Sequence, residues 1–169
     1  MKFSLKGYRV AIITVSDRSF KGEREDKSGE LIKDIMTSNG YDVVEWKILP
    51  DEREKISKEL INMSDNLKLD LILTTGGTGF SPRDWTPEAT LDVIDRQVPG
   101  ISEAMRYNSL SITPKAMLSR GVSGIRGETL IINLPGSPKA VKENLDYILP
   151  ALKHGLEILK GLTGECARE

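Results

Sequence analysis

LILTTGGTGFSPRD, residues 71–84, is a short apolar run that ends abruptly on glycine. Leu71–Thr75 has the length and branched content of a strand, and its lack of polar alternation predicts burial on both faces, as in a parallel sheet. Gly76-Gly77-Thr78-Gly79 then breaks it. Residues 10–15 (VAIITV) repeat the pattern and stop at Ser16-Asp17, while Asp42–Leu49 stops at Pro50-Asp51. Three such runs, each leaving through a polar or glycine-rich corner, predict strands whose ends gather unusual side chains.

The intervening segments read as helices. After a polar loop at residues 19–27, Ser28 is placed to cap a helix. Leu31, Ile32, Ile35 and Met36 recur at helical spacing until Asn39-Gly40 stops it. A charged amphipathic helix then runs to about Asn66, with Ile56, Leu60, Ile61 and Met63 on its apolar face. Thr86 as cap, with Pro87 at the first helical position, opens another. Residues 100–110 read as a further helix, and residues 138–148 and 151–160 as two more, separated by Pro150. Residues 122–126 and 129–133 flank Gly127-Glu128 as a hairpin. Strands alternating with helices predict an α/β fold. It should be a three-layer α/β/α sandwich with a mostly parallel sheet, right-handed crossovers and a small β-hairpin. Residues 1–169 read as one domain.

Composition narrows the function. Lys and Arg number 24 against 25 Asp and Glu, a net charge of −1, which excludes a highly charged disordered chain and argues against a general nucleic-acid binder. The longest apolar runs fall well short of the ~18 residues that suggest a membrane span. The start, MKFSLKGYRV, lacks the apolar stretch of a signal peptide. The single cysteine, Cys166, cannot form an internal disulfide. These features predict a soluble protein of the reducing cytoplasm, with no membrane or nucleic-acid partner.

In an open α/β sheet, ligands bind beyond the carboxyl ends of the strands. The glycines of residues 74–84 would let backbone amides approach an anion, although a tight turn uses the same residues. No Gly-Lys-Ser/Thr follows, and no third glycine completes a dinucleotide fingerprint. Arg83 suits phosphate. Asp84 with Asp51 would suffice for magnesium, which is commonly held by one or two carboxylates plus substrate phosphates. Asp51 equally suits capping the helix that begins near Glu52, and Asp17 suits either the site or a turn. LPGSPKA, residues 134–140, is another strand-to-helix corner, with Ser137 as cap and free amides that attract an anion. Trp46 and Trp85 read first as packing residues, with the pocket of a planar ligand as the second reading of Trp85 beside Asp84. The lone His154 lies away from the strand exits, and a nucleophilic triad or zinc hydrolase has little support.

TTGGTGFSPRDWTPEAT, ITPKAMLSRGVSGIRGETLIINLPGSPKA and LPALKHGLEILKG resemble, in order, the molybdenum-cofactor biosynthesis family. SDRSFKGEREDKSG is similar to its first motif. The family includes Mog-type molybdopterin adenylyltransferases, MoaB-type relatives and the G domains of fusion proteins such as gephyrin. The resemblance implies a homotrimer, Mg2+, ATP as co-substrate and molybdopterin as substrate, with a molybdenum-insertion protein as a downstream partner. It implies essential acidic roles for Asp51 and Asp84, and a nucleotide- and phosphate-contacting loop of Gly76, Gly77, Thr78 and Gly79. Ser119, Gly136 and Ser137 would line the ligand groove, and Asp26 and Ser28 would contact a ligand. The implied reaction transfers AMP from ATP to the terminal phosphate of molybdopterin and releases pyrophosphate. Two rivals remain at this point: a non-catalytic pterin-binding scaffold, and an unrelated ATP-dependent transferase with another acceptor.

Overall fold

The computed structural model describes residues 7–162. Cys166 and the first six residues, on which the compartment and leader readings partly rest, lie outside the described residues. The strands are β1 (Arg9–Val15), β2 (Asp42–Leu49), β3 (Leu71–Thr75), β4 (Arg96–Gln97), β5 (Ser123–Arg126) and β6 (Thr129–Leu134), and they form one sheet in the order β2-β1-β3-β6-β5-β4. β2, β1, β3 and β6 pair in parallel, while β5 is antiparallel to both β6 and β4. The helices are α1 (Asp17–Phe20), α2 (Lys27–Ser38), α3 (Arg53–Ile61), α4 (Thr86–Leu91), α5 (Pro99–Leu110) and α6 (Pro138–Leu159).

The apolar runs sit in the middle of the sheet because helices cover both faces there. Val10 and Ile12 of β1, Leu71 and Leu73 of β3, and Ile132 of β6 point to one face, against α2, α5 and α6. Ala11, Ile13, Ile72 and Ile131 point to the other, against α3 and α4. The register keeps the layers in line: Ile12 pairs with Leu73, and Leu73 with Ile132. This is the expected α/β/α sandwich with its hairpin, β5–β6. The chain steps outward from β1 to β2, then returns past β1 to β3. The order therefore reverses between β1 and β3, where such sheets open a crevice at their carboxyl ends.

Local differences from the sequence reading have identifiable causes. The polar stretch after β1 begins with a helical turn, α1, because Ser16 Oγ accepts from the Ser19 amide. Asp26, not Ser28, caps α2: its carboxylate accepts from the Gly29 amide at 2.8 Å. Thr86 lies inside α4 rather than capping it, and its hydroxyl donates to the Gly76 carbonyl. The amphipathic helix widens after Ile61 into a π-helical turn, Asn62–Asn66, and Ile61 itself is exposed. The two-residue β4 and a 3-10 turn, Pro114–Leu118, carry too little periodicity to be seen in sequence.

The largest difference is α6, one continuous helix through Pro150. Proline inside a helix costs about 3 kcal/mol. Val141, Leu145, Ile148, Leu152 and Leu156 form a single buried stripe across that position. Each such side chain contributes about 1.5–3 kcal/mol on burial, so the stripe prevails. Pro150 is itself exposed. Pro150→Ala should therefore restore a helical hydrogen bond and raise stability by about 1–2 kcal/mol, after allowing for a looser unfolded chain. A thermal midpoint that stays put or falls would contradict this.

Candidate functional site

Four parallel strands end on one edge of the sheet, and hydrogen bonds lock their corners together. The Ser16 amide leaving β1 donates to the Leu49 carbonyl at the end of β2 (2.9 Å). Thr75 Oγ1 at the end of β3 donates to the Pro135 carbonyl beyond β6 (2.7 Å). Gly76 and Gly77 have φ of +94° and +67°. A Cβ on Gly76 would lie 2.3 Å from the Val15 carbonyl oxygen, and one on Gly77 would lie 2.3 Å from Thr86 Oγ1. Glycine lets the turn approach both neighbours.

Arg120 shapes the rest of this loop. Its Nε donates to the Gly79 carbonyl and its Nη2 to the Asp84 carbonyl, both at 2.7 Å. Its amide donates to the Thr78 carbonyl at 2.9 Å, and its Nη1 pairs with Glu88. Spacing gave no hint of this clamp, because its partners in the loop are backbone carbonyls.

Asp51 and Asp84 lie against the loop. Asp84 Oδ2 accepts from the Ser81 amide at 3.0 Å and would be 3.0 Å from a Cβ on Gly79. Asp51 Oδ2 accepts from the Asp17 amide at 2.8 Å, and Asp51 Oδ1 would be 3.4 Å from a Cβ on Gly77. Asp51 does not cap α3, whose cap, Glu52, makes no side-chain capping hydrogen bond. Arg83 forks onto Asp17, with Nε–Oδ2 at 2.5 Å and Nη2–Oδ1 at 2.9 Å. That fork holds the Asp17 carboxyl below the usual carboxylate range. Burial pushes Asp51 upward, and the charges of Asp17 and Asp84 add to the push, against the bond from the Asp17 amide.

The two aspartates suit a hard cation. Each spends one oxygen on a backbone amide, and its Oδ1 takes no hydrogen bond from the described residues. Among the described residues no group of three His, Cys, Asp or Glu side chains could hold a metal. The arrangement fits an ion shared between one or two carboxylates and the phosphates of a substrate.

The elevated Asp51 carboxyl has a measurable consequence. A carboxyl with a raised folded pKa contributes its stability when protonated and loses it as pH rises through that value. In ligand-free protein, the midpoint of Asp51→Asn relative to wild type should therefore climb from about pH 3 to about pH 7. A gap that closes with rising pH would contradict the assignment. The depressed Asp17 carboxyl acts with the opposite sign and is common to both proteins, so it largely cancels.

Two cavities open beside the loop. One, of about 290 Å³, is lined by Thr78, Gly79, Ser119 and Asn133, with Met105 and Leu118 as apolar walls. The other, of about 780 Å³, is lined by Gly76, Gly136, Ser137, Asp26 and Ser28, together with Lys27. Adjacent residues of the β3 and β6 corners thus divide between them, and neither cavity is lined by Asp51 or Asp84. In the larger cavity, the sequence-predicted residues hold the walls. Ser28 Oγ donates to the Gly136 carbonyl at 2.7 Å. Asp26 Oδ2 accepts from both Thr14 Oγ1 and Trp46 Nε1. Ser137 caps α6 by accepting from the Ala140 amide. Trp46, read as a packing residue, contributes from β2 to the cavity wall through Asp26. His154 is exposed on α6, with Nδ1 3.9 Å from Glu157.

Residues 11–154 match the family described as a probable molybdopterin binding domain. The chain is 43% identical over 154 residues to molybdopterin adenylyltransferase of Helicobacter pylori strain J99, covering 90% of this chain and 88% of that protein. It is 46% identical over 160 residues to gephyrin of Dictyostelium discoideum, covering 89% of this chain and 22% of that protein. The crystal structure of the molybdopterin biosynthesis enzyme MoaB from Thermus thermophilus superposes with a TM-score of 0.87. Its identity to this chain is 50%, with coverage of 91% of this chain and 97% of that one.

Proposed function

The chain belongs to the family of molybdopterin-binding domains, and we propose that it is a molybdopterin adenylyltransferase of molybdenum-cofactor biosynthesis, using ATP and Mg2+. One observation carries the catalytic reading: two carboxylates, each with an oxygen to spare, face a glycine loop whose residues wall two separate cavities. Such an arrangement suits a transfer between two substrates.

The terminal phosphate oxygen of molybdopterin attacks the α-phosphorus of ATP. A new P–O bond forms, the bond to the β-phosphate breaks, and pyrophosphate leaves with the electron pair. Transfers of this kind depend mainly on positioning and charge stabilisation. Asp51 and Asp84 would hold magnesium, which when bound neutralises phosphate charge. The starts of α2 and α6, where partial positive charge gathers, line the larger cavity and would receive phosphate there, with the loop amides beside them. Arg120 and the β3–β6 corner bonds keep the loop in shape, so little reorganisation accompanies the transfer.

Incubation with molybdopterin and Mg-ATP should give adenylylated pterin and an equal amount of pyrophosphate. Pterin binding without ATP consumption would leave a scaffold, and ATP turnover with a different acceptor would point to another transferase. The proposal includes a homotrimer that passes product to a molybdenum-insertion protein. Exposed Tyr107, Ile112 and Met117, on and just after α5, supply apolar surface for self-association. Light scattering tests the assembly. No helix among the described residues is long and apolar enough to cross a membrane, in keeping with a cytoplasmic placement.

A further inference from the structure

Asp17 and Asp51 exchange two hydrogen bonds across the exits of neighbouring strands. The Asp17 amide donates to Asp51 Oδ2 at 2.8 Å, and the Asp51 amide donates to Asp17 Oδ1 at 3.1 Å. The Asp17 carboxylate also receives the two-pronged fork of Arg83, the residue immediately before Asp84. A continuous chain therefore runs from Asp51 through Asp17 and Arg83 to the backbone of Asp84. We propose that Asp17 is a positioning residue for adenylyl transfer: clamped by Arg83, it fixes where Asp51 stands relative to Asp84. This rests on the proposed roles of those two aspartates.

Magnitudes favour geometry over stability as the purpose of the strap. The Arg83 and Asp17 side chains are 57% and 28% exposed, and ion pairs at such positions contribute only about 0–1 kcal/mol. A guanidinium–carboxylate fork nevertheless fixes direction, because two parallel donors must meet two oxygens. With Nε and Nη2 committed to Asp17, Arg83 joins the glycine loop to the exit of β1. Asp51 keeps Oδ1 toward Gly77 while Oδ2 is tied down. An outer residue of this kind acts through the ligand it orients, typically at a cost of about 10–100-fold in activity or metal affinity when lost.

The test uses the full chain with Arg83→Gln, Arg83→Lys, Asp17→Asn and the Arg83→Gln/Asp17→Asn double variant. In ligand-free protein, NMR hydrogen exchange of the Asp17 and Asp51 amides should quicken about tenfold in Arg83→Gln, while the Gly29 amide held by Asp26 stays unchanged. In turnover, Arg83→Gln and Asp17→Asn should each lower kcat at least about tenfold, leaving KM for ATP within about twofold. The double variant should be no worse than the poorer single one, because both break one strap. Arg83→Lys, which keeps charge without the fork, should fall between. Unchanged amide exchange overturns the proposal, as does faster exchange with normal kcat. A rise in KM for ATP confined to the Arg83 variants also overturns it and makes Arg83 a direct phosphate contact. If wild type lacks transferase activity, the functional reading fails, while the exchange measurement still reports whether the strap holds Asp51.

Discussion

Asp84→Asn is expected to slow adenylyl transfer by about 10²–10³-fold, comparable to removing one preorganised charge-stabilising group, with the fold intact. The substitution preserves shape. An asparagine oxygen can still accept from the Ser81 amide, and the bond from Arg120 goes to the Asp84 backbone carbonyl, which does not change. What disappears is the negative charge and the unbonded Oδ1, replaced by an amide nitrogen that a hard cation does not accept as a ligand. Initial rates of pyrophosphate release at saturating ATP and pterin, read beside thermal midpoints, separate the two effects. Turnover near that of wild type would remove Asp84 from the metal-holding role.

Gly76→Ala is expected to be the most damaging single methyl in this corner. Its φ of +94° costs a side-chain-bearing residue about 1–3 kcal/mol. The new Cβ would also sit 2.3 Å from the Val15 carbonyl oxygen, an atom of a central strand with little room to move. Overpacking adds about 1–3 kcal/mol. At about 2–4 °C per kcal/mol, the thermal midpoint should fall by about 10 °C. Gly127→Ala is the control: φ is +56°, and nothing lies within 4 Å of the added carbon. If the two variants lose equal stability, the close approach to Val15 is not what glycine provides at position 76.

The architecture was legible where burial leaves a pattern. Val10–Val15 and Leu71–Thr75 are largely apolar on both faces because helices cover both, and they announced a parallel sheet. β6 was read only as one arm of a hairpin, and its parallel pairing with β3 left no separate mark in the sequence. Pro150 misled for the opposite reason. A local rule about proline says nothing of the buried stripe on either side of it. At the site, Asp51, Asp84 and the glycines stood out because their residue types are unusual at strand exits. The clamp of Arg120 and the fork of Arg83 onto Asp17 did not, because the first grips backbone carbonyls and the second joins positions 66 apart. Asp26 and Ser28 were tied to the site through motif resemblance, while the hydrogen bonds that make them wall-builders appear only once α2 meets the β6 corner.

The indole bonded to Asp26 gives this protein an optical channel of its own. Trp46 is about one-third exposed and touches the larger cavity through a single carboxylate, while Trp85, stacked under Arg53, adjoins Asp84 in the chain. These are the chain's two tryptophans. A spectrum of the unlabelled protein therefore mixes one emitter bonded to the wall of the larger cavity with one next to Asp84 in the chain. Phenylalanine at one position or the other would let the surroundings of Asp26 and of Asp84 be followed separately.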